Sequence, residues 1–118
     1  MQRVEEKQAR SLEQQLEWVP EDARAHVLLA GRYASVGQTK NAVREVEEAL
    51  ALRPNDNNIL YNAGCVYARL NMKMEAISTL KRALITGYGM IDWLERDPDL
   101  TSIRDEPEFQ KLLQSRKS

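Results

Sequence analysis

The sequence predicts an all-α solenoid of antiparallel helix pairs. Three observations predict it. Apolar residues recur at helical spacing, no useful stretch alternates as a strand would, and two blocks coincide when the chain is shifted by 34 residues. The shift lays 23–56 on 57–90, with Tyr33 on Tyr67, Ala34 on Ala68, Ala42 on Ala76, Ala49 on Ala83 and Leu50 on Leu84. Ala30 on Gly64, Val43 on Ile77 and Val46 on Leu80 are conservative matches. The expectation is one domain over 1–118.

Each element has its own justification. Residues 3–19 read as the second helix of a partial preceding repeat, with a weak apolar edge of Leu12, Leu16 and Val19 and a stop at Pro20. The first helix of repeat one carries the stripe Ala25, Leu29, Arg32, Tyr33 and Val36; its second carries Ala42, Val43, Val46, Ala49 and Leu50. Repeat two matches with Leu60, Ala63, Gly64, Tyr67 and Leu70, then Ala76, Ile77, Leu80, Ala83 and Leu84. Asp22 and Asp56 stand where N-caps are needed. Gly37 and Asn71 stand where a left-handed residue closes a helix, and Pro54 ends repeat one. A third unit starts with Met90, Ile91, Trp93 and Leu94, but Pro98 interrupts its first helix. The tail, 91–118, then predicts a short turn or helix from Pro98 and a helix from about Glu106, where Asp105 and Glu108 have capping-box spacing. Trp93, Leu94, Leu100, Ile103, Phe109, Leu112 and Leu113 are expected to cover an open end of the stack.

The chain has 118 residues, 42% hydrophobic and 30% charged, enough apolar material for a core. Seventeen basic side chains against eighteen acidic ones give a net charge of −1, which argues against nucleic acid or an anionic membrane as partner. Cys65 is the single cysteine, so no internal disulfide forms. The start lacks the apolar run of a signal peptide, and no run spans a bilayer. The expected compartment is the cytoplasm.

These spaced residues resemble the tetratricopeptide repeat family. Ala30, Tyr33, Gly37, Ala42, Ala49 and Pro54 match its pattern in the first block. Gly64, Tyr67, Asn71, Ala76 and Ala83 match it in the second, with Tyr88 where Pro is usual. The resemblance implies a right-handed superhelix whose first helices line a concave groove for a peptide or a partner's helix. The groove positions it implies are Arg24, Val27, Leu28, Gly31, Ala34 and Ser35, then Asn58, Tyr61, Asn62, Cys65, Ala68 and Arg69. Val27 and Gly31 are not the Lys and Asn of the variant that clamps a C-terminal carboxylate, so chaperone-tail binding is not expected. The tail resembles the closing segment of bacterial members, some attached to cyclases or protein kinases.

No convergent reactive set stands out. One His, one Cys and no paired metal-ligand spacing predict no catalytic, cofactor or metal site. Gly87-Tyr88-Gly89 is too short for a dinucleotide fingerprint. His26 reads as a packed helix residue and Cys65 as a small side chain facing the groove. Independently of the resemblance, residues 58, 61, 62, 65 and 69 share a helical face beside the core stripe. Tyr61 offers a ring and a hydroxyl, Asn58 and Asn62 amides for a peptide backbone, and Arg69 a fork for a carboxylate. Arg32, large where the pattern is small, is expected to pair with Glu13 or Glu17. The leading expectation is therefore a non-enzymatic protein-binding scaffold. The alternatives are a homodimer through Leu12, Leu16 and Trp18 of the N-terminal helix, or an interaction segment of a larger bacterial signalling protein.

Overall fold

The computed structural model describes the backbone of residues 2–117 and the side chains of 8–116. Among the described residues every regular element is helical: α1 (Gln2–Trp18), α2 (Ala23–Ser35), α3 (Thr39–Leu52), α4 (Asn57–Arg69), α5 (Lys73–Ile85), α6 (Ile91–Arg96), a 3-10 helix (Pro98–Ile103) and α7 (Pro107–Lys117). No helix among them is long and apolar enough to cross a membrane. The described residues form two compact units that divide between Pro54 and Asn55.

In the first unit, α2 packs against both α1 and α3. Ala25, Leu29, Ala30 and Tyr33 of α2 are buried, as are Ala42, Val46 and Ala49 of α3. Glu13, one of the two carboxylates expected to meet Arg32, accepts from the Tyr33 hydroxyl at 2.9 Å. Burial, reinforced by that carboxylate, pushes the Tyr33 phenol up to about 12.

In the second unit, α4 packs on α5, and the 3-10 helix packs on both. Gly64 lies close to Leu80: an added Cβ would come within 2.7 Å of the leucine Cγ. The smallest residue at this position lets the two helices nest. Leu94, Leu100, Ile103 and Phe109 of the tail are fully buried, while Trp93 stays 40% exposed.

The helix ends repeat as the sequence spacing requires. Helices α2 and α4 start 34 residues apart, and so do α3 and α5. Asp22 accepts from the Ala25 N–H, which holds its carboxyl below the ordinary value. Asp56 accepts from the Asn58 and Ile59 N–H groups. After α2, Gln38 N–H donates to Tyr33 C=O and Gly37 N–H to Ala34 C=O; Met72 and Asn71 repeat this after α4, and Tyr88 and Gly87 after α5. These paired bonds form a Schellman closure, whose left-handed residue is Gly37 (φ 79°), Asn71 (φ 62°) or Gly87 (φ 114°). Helix α7 begins with Pro107, so Glu106 rather than Asp105 holds its cap position and accepts from Gln110 N–H. Replacing Asp56 with alanine should remove about 1 kcal/mol of stability, read from the midpoint of urea unfolding. An unchanged midpoint would show that the Asp56 bonds add nothing.

Candidate functional site

The expected binding positions on α2 divide by exposure. Arg24, Leu28 and Ser35 are exposed, Gly31 is half-buried, and Val27 is buried. Val27 is therefore core material in the folded chain.

Beside this face lies a buried polar pair that helical spacing alone does not show. His26 Nδ1 donates to Glu45 Oε1 on α3 at 2.7 Å, and Nε2 donates to the Pro20 carbonyl at 2.7 Å. A carboxylate and a carbonyl are both acceptors, so the ring must supply two N–H groups and carries the positive charge. Burial opposes that charge, but the bonds to Glu45 and Pro20 and the charges of Glu45 and Glu48 outweigh it, raising the His26 pKa above 6.5. Arg44 Nε reaches the other Glu45 oxygen at 3.3 Å. His26 thus ties the α1–α2 turn, α2 and α3 together.

On α4 the structure corrects the sequence reading. Asn58, Asn62 and Arg69 are exposed, but Tyr61 and Cys65 are buried beneath the tail. The Tyr61 hydroxyl makes a short hydrogen bond to Asp97 Oδ2, and the Cys65 thiol donates to the same oxygen at 3.7 Å. Asp97 Oδ1 accepts from the Asp99 backbone N–H at 2.9 Å. Arg69 Nε stands 3.9 Å from Asp99 Oδ1, so its carboxylate partner lies within the chain. Ser102 Oγ donates to the Ala68 carbonyl at 2.6 Å. The Tyr61 ring stacks on Tyr88, with centroids 4.3 Å apart and planes 7° from parallel.

The electrostatics of this cluster oppose reactivity. Burial, aided by Asp97, pushes the Tyr61 phenol and the Cys65 thiol well above their ordinary values, and burial also raises Tyr88. Burial and the neighbouring Asp97 raise Asp99, and Arg69 partly opposes them. A thiol held protonated is a poor nucleophile. Cys65, Asp97 and Asp99 do place one donor atom each within 4.8 Å of one another. Three donors are one short of a closed structural zinc site, and Asp97 Oδ2 already receives two protons from Tyr61 and Cys65.

The stretch from Asp97 to Asp105 reads in the sequence as solvated helix faces and N-caps; Asp97 does cap the 3-10 helix, but its burial against Tyr61 and Cys65 is not legible there. The available signal was Asp before Pro98, since Asp-Pro opens a helical turn with the aspartate as cap. Elsewhere, Trp18 at the end of α1 is 86% exposed. A shallow cavity of about 240 Å³ includes Arg10, Glu13, Arg32 and Tyr33 in its lining.

No protein-family model matches the chain, and no solved structure matches it. Among curated proteins it is similar to a chloroplastic protein of Arabidopsis thaliana, at 29% identity over 85 residues. That match covers 70% of this chain but 25% of the relative, so the chain spans about a quarter of that protein's length.

Proposed function

We propose that the chain is a non-enzymatic protein-interaction module of the tetratricopeptide type, acting in the cytoplasm, in which helix pairs repeat as a solenoid and the first helix of each pair carries a recognition face for a peptide or partner helix. One observation carries the reading: caps, helix starts and Schellman closures recur at 34-residue intervals, and on each first helix exposed polar side chains flank the buried stripe. Each first helix is read on its own: α2 offers Arg24, Leu28 and Ser35, and α4 offers Asn58 and Asn62, without Val27, Tyr61, Cys65 or the Arg69 that stands beside Asp99.

The test is a chain carrying Arg24→Glu, Leu28→Glu and Asn62→Arg. These positions are exposed, so each change should alter stability by no more than ~0.5 kcal/mol. Affinity capture from the native cell should recover a partner with the parent chain and lose it by about tenfold or more with this variant. Equal recovery by the folded variant rejects these faces. A second reading, a homodimer through α1, rests on exposed Trp18. A strict monomer by light scattering at high concentration removes it.

A further inference from the structure

The tail meets α4 through chemistry more selective than apolar burial. Asp97 is 4% exposed, and carboxylates are buried at a penalty unless donors meet them. Two of its three carboxylate donors come from one face of α4, Tyr61 and Cys65, and the third is the backbone of its own turn. Arg69 adds a cation beside Asp99, and Leu100 and Ile103 are fully buried. An apolar residue at position 97 would cover a helix face without the desolvation penalty. The donor set on α4 instead selects for a carboxylate.

We infer that the α4 face is a receptor for an acidic Asp-Pro-Asp turn followed by aliphatic side chains, filled here by this chain's own residues 97–103, and that a peptide partner of the same chemistry engages it by displacing them. The inference rests on the reading of the first helices as recognition faces and extends it to Tyr61 and Cys65, the α4 side chains that the tail covers; it gives that covered side a ligand class and a competitor. Apparent affinity for such a peptide is reduced by the fraction of molecules in which the segment is docked.

Cys65 is the single cysteine and lies beneath the segment, so its reaction with a chromophoric disulfide reagent reads the opening directly. In the full chain, Asp97→Ala should speed this labelling about ten- to hundredfold, the loss expected for a charged hydrogen bond. A synthetic peptide of residues 95–106 should then slow it again in the variant. The same peptide with alanine in place of its first aspartate should not. The parent chain should also bind a fluorescent copy of the 95–106 peptide, by displacement and more weakly than the variant does; no binding to the parent at any concentration overturns the inference. Labelling of the variant at the parental rate, or equal protection by both peptides, overturns the inference. If Asp97→Ala loses its helical circular dichroism, Asp97→Asn keeps the side-chain size and one acceptor oxygen, and the same peptide comparison decides. Because the probe is the chain's own segment, this outcome is independent of cellular capture: lost protection with partner loss intact rejects the inference alone, and the converse rejects only the exposed faces.

Discussion

Replacing His26 with alanine should destabilise the folded chain by about 3 kcal/mol below pH 6.5, and by progressively less as the pH rises. The magnitude comes from removing one partner of a buried ion pair, which leaves Glu45 without its main donor. It falls at the low end of the usual range because Arg44 still reaches the second Glu45 oxygen. The sign follows from the direction of the shift. His26 is raised above 6.5 in the folded chain, so its charged form contributes fully below 6.5. That contribution is lost as the pH climbs through the raised value. Urea unfolding of parent and His26→Ala chains over a pH series should therefore give curves that converge towards alkaline pH. Glu45→Gln should flatten the parental dependence in the same window. Parallel curves at every pH would show that His26 is not the titrating group.

This pair also marks what the sequence could and could not show. Helical spacing identified α2 through α5 because a 3.6-residue period reports which side of a helix faces a core. Asp22, Asp56, Gly37 and Asn71 were readable because caps and closures are local, decided within four or five residues. Pro98 was readable for the same reason. His26 and Glu45 are 19 residues apart, and nothing local to either predicts that the other receives its proton. The α4 face failed more instructively. Residues 58, 61, 62, 65 and 69 do share a side, but periodicity says which residues share a side and not what lies over it. Asp97 covers Tyr61 from 36 residues away, and it turned a face read as open into one occupied by the chain itself. Val27, a groove position only by the resemblance, is buried as well.

The largest loss should follow Phe109→Ala. Among the described residues Phe109 is the bulkiest fully buried side chain, and truncating such a phenylalanine typically costs about 3–5 kcal/mol. Helix α7 has 11 residues, below the ~12–15 at which an isolated helix becomes even marginally stable in water. Its helicity must therefore come from docking, and docking from Phe109, Leu112 and Leu113, the α7 side chains buried among the described residues. The other two retain slight exposure, so they cannot replace the volume lost at 109. Amide exchange should show α7 losing protection in the variant, together with a fall in the thermal midpoint. Trp93→Ala is the control: the larger side chain, but 40% exposed, should shift the midpoint far less. A Phe109→Ala chain whose α7 amides remain protected would mean that the tail is held by its polar contacts, such as Lys73 to Glu106 at 3.1 Å and Arg104 to the Asp97 carbonyl at 2.7 Å, rather than by its buried ring.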